Sequence, residues 1–174
     1  MKVEISSELV LNPLSLTDAT SIFLLVNQNR DEMQRIFPWV KSVENREGAE
    51  AYIASRIYSD KPGAYWFSVS FKGRQCGVFG IKSIDKANSR AEVGYWLCKD
   101  VRGNGITNKI IASLSKFLSA AKSVKTIEFQ CLEHNLAGQR VIEKTGANKV
   151  DTVKNDMDIE EKEQDIYIYH LAIG

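Results

Sequence analysis

At Tyr65 the spacing of apolar residues changes from threes and fours to twos. Tyr65, Phe67, Val69 and Phe71 fall on one side of an extended chain, and Trp66, Ser68 and Ser70 on the other. Lys72, Gly73 and Arg74 make a turn, residues 75–84 return as a second strand, Ala87, Asn88 and Ser89 turn again, and residues 91–98 form a third. The chain must therefore build an antiparallel meander in its middle. Ahead of it, a strand near residues 8–14 leads into a helix capped by Thr17, with Ala19, Ile22, Phe23 and Val26 at helical spacing. A short helix over residues 30–37 stops at Pro38, and Val43, Ala49, Tyr52, Ile53, Arg56 and Ile57 mark another helix up to Tyr58. Beyond the meander come a helix over residues 106–121, a β-rich run 124–131, a helix over 136–145 and strands near 148–153 and 165–173. The class is mixed α+β with a βαβ unit inside it.

Residues 1–174 read as a single domain, because no repeat, low-complexity tract or Pro/Gly/Ser linker offers a place to divide them. A chain of this size buries about 70% of its extended surface and needs no staples. Lys and Arg number 23 against 22 Asp and Glu, for a net charge of +1. No dense basic run is present, so composition gives no case for a nucleic-acid partner. Cys76, Cys98 and Cys131 are odd in number and contain no C-x-x-C, which signals neither a disulfide framework nor a thiolate zinc site. A reducing cytoplasm fits best. The N-terminus has no apolar leader, and the longest uninterrupted aliphatic and aromatic run covers only residues 22–26, so no membrane segment is expected.

The segment Asp100-Val101-Arg102-Gly103-Asn104-Gly105-Ile106-Thr107 lies between an expected strand and an expected helix. Unpaired N–H groups at a helix start, approached over glycines, can hold a pyrophosphate. A Walker loop is excluded by the spacing, and a Rossmann loop would need glycine where Asn108 stands. The preceding antiparallel meander also argues against a Rossmann unit.

Asn88-Ser89-Arg90-Ala91-Glu92-Val93-Gly94-Tyr95-Trp96-Leu97, followed by Arg102-Gly103-Asn104-Gly105-Ile106 and by Cys131 through Asn135 to Gly146, resembles the GNAT superfamily of N-acetyltransferases. Within it, the chain resembles the subgroup that includes the ribosomal-protein serine N-acetyltransferases. The resemblance implies a mostly antiparallel mixed sheet flanked by helices, with a splayed parallel strand pair that takes acetyl-CoA. It places pantetheine along Trp96, Leu97 and Cys98. The pyrophosphate then meets the N–H groups of Arg102, Gly103, Asn104, Gly105, Ile106 and Thr107, with Asn135 nearby. Unpaired backbone at such a splay suits a pantetheine amide chain.

Acetyl transfer from a thioester to an amine needs a neutral amine, a donor for the developing oxyanion and a proton for the leaving thiolate. The resemblance makes Glu92 the base and a backbone N–H near Trp96 or Leu97 the oxyanion donor. An ordinary ion pair with a neighbouring Lys or Arg is the structural alternative for Glu92. The acid is where the sequence departs, since relatives keep Ser or Tyr where Gly138 and Ile142 stand. Ala147 and Asp100 are smaller departures. Serine is expected to fit easily in place of Gly138.

Trp39, next to Pro38, is a candidate for touching the acceptor, whereas Trp66 and Trp96 read as core. His134 and His170 form no metal-binding pattern, so no metal is expected. Asp151, Asp156, Asp158, Glu160, Glu161, Glu163 and Asp165 outnumber Lys154 and Lys162, giving a strongly acidic stretch that could draw a cationic acceptor. Two functions follow: an acetyl-CoA-dependent N-acetyltransferase acting on a primary amine, foremost a protein or peptide N-terminus, or a GNAT-fold module that holds CoA for regulation with little turnover. The acceptor's identity and the oligomeric state stay open, a homodimer among the options.

Overall fold

The computed structural model describes residues 1–154 and 164–174. Eight strands form one sheet: β1 (Val3–Glu4), β2 (Leu9–Pro13), β3 (Tyr65–Phe71), β4 (Arg74–Asp85), β5 (Arg90–Leu97), β6 (Thr126–Leu132), β7 (Asn148–Val153) and β8 (Ile166–Ala172). Their order across the sheet is β1-β2-β3-β4-β5-β6-β8-β7. Every neighbouring pair is antiparallel except β5 and β6, which run parallel. The helices are α1 (Ala19–Gln28), α2 (Arg30–Met33), α3 (Arg46–Ile57), α4 (Ile106–Lys122) and α5 (Leu136–Lys144).

Parallel pairing of β5 with β6 requires a crossover, and α4 supplies it. Alternation along β5 sends Ala91 and Val93 to one face and Glu92 and Trp96 to the other. The first face meets α4 and α5, where Ile110, Ile111, Leu114 and Leu118 are buried with Ile127 and Phe129. The second face meets α1 and α3, which cover even its serine. Ser68 is 5% exposed, bonded to the Gln75 amide that also reaches Asp18.

Two local expectations are revised. Ser15, not Thr17, caps the first helical stretch, through a reciprocal box in which Ser15 Oγ accepts from Thr17 N–H and Asp18 accepts from Ser15 N–H. Here Thr17 lies inside a 3-10 turn (Leu16–Asp18) that runs into α1. The helix expected over residues 30–37 ends at Met33, and Pro38 opens a 3-10 turn (Pro38–Ser42) instead of simply halting a helix. The two-residue β1 is too short to carry any periodicity.

Candidate active site

The sheet opens at one point. Parallel register runs from Arg90 opposite Thr126 to Val93 opposite Phe129 and stops there. Beyond that row β5 stays paired with β4 as far as Leu97, and β6 stays paired with β8 as far as Leu132. The inner edges of residues 94–97 and 130–132 thus face one another without a shared ladder. Backbone donors and acceptors along such a gap need partners from elsewhere.

β5 delivers the chain from this gap into the glycine loop. Cys98 leads a 3-10 turn (Lys99–Val101), Arg102 is extended, and Gly103 and Gly105 adopt φ values of 82° and 65°. Positive φ is the reason for glycine at both positions. Asn104 Nδ2 donates to the Val101 carbonyl at 2.8 Å and closes the loop on itself. Gly105 is the N-cap of α4, and no side chain caps that terminus. A Cβ at Gly103 or Gly105 would meet nothing within 4 Å, so the approach to the first-turn N–H groups is open. Helix-start N–H groups left uncapped beside open space suit an anion. The side chains of Ile106 and Thr107 are buried, leaving their backbone to face that space. Arg102 turns its guanidinium to Glu32 of α2, and Asp100 pairs with Arg74 at 2.7 Å, so both serve to anchor the loop.

On the α1/α3 face, Glu92 lies 19% exposed and is ion-paired with Lys82. Lys82 gets there through a bulge: register on β4 shifts between Ile81 and Ser83, and Ser83 takes the place opposite Glu92. Bulges re-aim side chains, and this one lays the Lys82 stem over Gly94, where an added Cβ would touch it at 3.0 Å. The ion pair named as the alternative for Glu92 is present, with Lys82 as its partner.

The three tryptophans come together on the same face. Trp96, 5% exposed, donates its indole N–H to Tyr52 Oη at 2.9 Å, and the Trp39 ring lies 4.3 Å from the Tyr52 ring and 6.1 Å from Trp96. Arg56 stacks 3.6 Å above Tyr52, flanked by Trp39 and Trp66. Trp39 is only half-buried, at the outer side of this cluster beside the end of β5. Tyr52, Arg56 and Lys82 went unrecognised as site residues in the sequence; the helical spacing of Tyr52 and Arg56 spoke only of packing.

Asn135 caps α5, its Oδ1 accepting the Gly138 N–H at 3.0 Å. Leu97 borders the gap partly buried, while Cys98 and Cys131 are both buried free thiols. Burial, reinforced by the Glu143 carboxylate, pushes the Cys131 thiol up to about 12. Ile142 is 3% exposed and belongs to the core, so neither it nor Gly138 offers a proton. Asp156, Asp158, Glu160, Lys162, Glu161 and Glu163 of the acidic stretch lie outside the described residues. Among the described residues no cluster of three His, Cys, Asp or Glu side chains could hold a metal, and no helix is long and apolar enough to cross a membrane.

Residues 8–148 match the acetyltransferase (GNAT) domain family. The chain belongs to the GNAT acetyltransferases. Members of this family use acetyl-CoA, and the splay and the uncapped, open start of α4 fit that cosubstrate. The ribosomal-protein-serine acetyltransferase of Escherichia coli (strain K12) is 21% identical over 145 residues, covering 83% of this chain and 81% of that protein. The RimL ribosomal L7/L12 α-N-protein acetyltransferase in complex with coenzyme A, held by a disulfide to a cysteine, superposes with a TM-score of 0.90 at 20% identity, over 99% of this chain and 98% of that one. The microcin C7 self-immunity acetyltransferase MccE, with acetyl-CoA and AMP, gives 0.87 at 23% identity, over 98% and 96%. The GNAT fold expected from the sequence, with its parallel pair inside an otherwise antiparallel sheet, is borne out.

Proposed function

We propose that this GNAT protein acetylates the α-amine of a protein N-terminus, residues 1–174 working as one unit in the cytoplasm. The observation that carries the reading is the parting of β5 and β6 after Val93 and Phe129, with Glu92 in the row before that last pair and the uncapped α4 start beyond the opening. Relatives named for ribosomal-protein and L7/L12 N-terminal acetylation support the acceptor class. Three free thiols support a reducing compartment. A homodimer is compatible with this reading.

In this reading the first-turn N–H groups of α4 hold the phosphates, and acetyl-CoA, when bound, supplies the activated acetyl group. Glu92 takes the proton from the acceptor amine, directly or through water, and its ion pair with Lys82 holds the carboxylate in place. Backbone N–H near Trp96 or Leu97 meets the developing oxyanion. Trp39 borders the acceptor entrance. Asn135 acts by holding the start of α5 beside the gap.

The absence of a hydroxyl at Gly138 and Ile142 favours a second reading, a module that binds CoA with little turnover. One experiment separates them: acetyl-CoA is mixed with peptides copying ribosomal-protein N-termini, and free thiol and peptide mass are followed. Thiol release matched by one added acetyl group at the N-terminus, and reduced about 10²- to 10⁴-fold in Glu92→Gln, is expected. Tight CoA binding with no thiol release from any peptide establishes the module instead.

A further inference from the structure

Arg46, Arg74, Arg90 and Arg102 each pair with a carboxylate, whereas Arg56 on α3 does not. Its Nη1 donates to the Tyr52 carbonyl at 3.2 Å and to Ser55 Oγ at 3.1 Å, both neutral acceptors within its own helix. Its Nε is buried with no partner, while Nη2 makes no bond to the described residues and reaches the surface. A cation drawn this far from water is ordinarily paired, and a buried donor ordinarily bonded. The free edge, Nε with Nη2, is the one that takes a carboxylate through two parallel hydrogen bonds. An anion that arrives at Nη2 is therefore also the partner that Nε lacks.

Direct contacts join this guanidinium to the end of β5. It stacks 3.6 Å above the Tyr52 ring, and Tyr52 Oη accepts from the Trp96 indole at 2.9 Å. Trp39 and Trp66, both half-buried, stand 5.4 and 5.1 Å from it and wall the opening. Trp66, Gly80 and Gly94 form one row across β3, β4 and β5, on the face that carries Glu92 and Trp96. A Cβ added at Gly80 would stand 2.2 Å from the Trp66 ring, so that ring lies across Gly80 and next to Gly94. Arg56 is thus about one to two strand spacings, or about 5–10 Å, to the side of the β5 positions that border the gap. An extended peptide advances about 3.3–3.6 Å per residue. A chain whose amine lies over β5 therefore brings the side chain of its second or third residue to Arg56.

We propose that Arg56 sets acceptor specificity, selecting protein N-termini that carry Asp or Glu at their second or third residue. The assignment rests on the reading that this chain acetylates an N-terminal α-amine at the β5 gap. The acceptor's carboxylate accepts from Nη2 and Nε, and the rings of Trp39 and Trp66 thin the water around the pair, which strengthens it. A lysine at the same place in the acceptor meets a like charge and is rejected. Arg56 touches the acceptor away from the atoms that react, so it governs which chain is held and not how the acetyl group moves.

Peptides beginning Ser-Asp-Ala, Ser-Asn-Ala, Ser-Lys-Ala, Ser-Ala-Asp, Ser-Ala-Asn and Ser-Ala-Lys, otherwise identical, are compared as acceptors at saturating acetyl-CoA. At one of the two positions kcat/KM for Asp should exceed that for Asn about 10- to 100-fold, with Lys the poorest. Arg56→Met, which keeps the apolar stem, should bring the Asp-to-Asn ratio to about one. Arg56→Glu should reverse the order in favour of Lys. Because each ratio compares two peptides on the same preparation, the fraction of folded enzyme cancels, and lost stacking alone cannot produce the reversal. Equal rates for Asp and Asn at both positions in the parent, or an Asp preference that survives in Arg56→Met, overturn the assignment and leave acetyl transfer standing. A parent that binds CoA yet acetylates none of the peptides overturns the proposed function, and the assignment with it.

Discussion

Asn135 and Gly138 interlock: the Asn135 carboxamide accepts the Gly138 N–H at 3.0 Å, and a Cβ on Gly138 would stand 2.4 Å from the Asn135 Nδ2. Glycine is what lets the cap fold over the first turn of α5. The sequence-based expectation that serine fits easily there is therefore overturned. Gly138→Ser should push Asn135 aside and lose a cap worth about 0.5–2 kcal/mol, set against about 0.5–1 kcal/mol gained by removing a helical glycine. A net loss of up to about 1.5 kcal/mol lowers the melting temperature by up to about 3–6 °C. Thermal melts of Gly138→Ser, Asn135→Ala and the double variant check this. The double variant should lose no more than Asn135→Ala alone, whereas a Gly138→Ser melt above the parent's would show that Asn135 moves at no cost.

Gly105 combines φ of 65° with open space where a Cβ would point. Valine there imposes backbone strain and bulk together, while asparagine tolerates the left-handed region and adds mainly a side chain above the first turn of α4. Both should weaken CoA binding tenfold or more, about 1.4 kcal/mol, but Gly105→Asn should keep most of the parent's melting temperature. Calorimetry showing parental CoA affinity in Gly105→Asn would move the phosphate site away from this loop.

Trp96 and Tyr52 tie the end of β5 to α3 through a buried hydrogen bond of 2.9 Å. Tyr52→Phe leaves the indole N–H unpaired and should cost about 1–3 kcal/mol. Trp39 rests on the same ring from the outside. In Tyr52→Phe the acceptor KM should rise with the shift of Trp39, while CoA affinity holds. A melting temperature equal to the parent's would mean that the indole has found another acceptor.

The parts legible in the sequence are those governed by local periodicity. Tyr65 to Phe71 alternates strictly and forms β3 with those bounds, and the glycine loop sits between β5 and α4 as its composition required. Lys82 was invisible as a site residue because a one-residue register shift leaves no periodic trace, yet that shift brings its ammonium to Glu92. The contacts of Trp39 and Trp96 with Tyr52 join residues far apart in the chain, and only tertiary packing makes them. His170 read as an isolated histidine with no metal pattern; its partner Glu128 is set by the pairing of β6 with β8, which no spacing within either strand encodes. Ser15 outcompetes Thr17 as a cap because Asp18 can answer it three residues on.

Six buried acids, Cys76, Cys98, Cys131, Tyr52, Tyr95 and Tyr169, hold their protons more tightly in the folded chain than they would in an unfolded one, chiefly through burial. Burial pushes the Cys76 thiol up to about 12, with Cys98 and Asp100 adding to it, the Cys98 thiol to about 11 and the Cys131 thiol to about 12, from an ordinary value of 9.0. Tyr169, packed against α5 with its hydroxyl 3.3 Å from Glu143, rises from 10.0 to about 12, again mainly through burial. A group whose folded value is raised contributes stability that is complete below its unfolded value and is lost as pH climbs through the folded one. Stability from these groups should thus be constant through neutrality and fall between about pH 9 and 12, by up to about 1.4 kcal/mol per unit for each thiol. Melting temperatures in a pH series test the window, and Cys131→Ala, even though it lowers stability through its lost packing, should show a shallower alkaline decline. Iodoacetamide gives a second reading, because the thiolate is the nucleophile. At neutral pH the folded chain should alkylate far more slowly than the chain in denaturant. Rapid labelling of Cys131 in the folded protein at neutral pH would show that its surroundings are wetter than the packing of β6 against α5 implies.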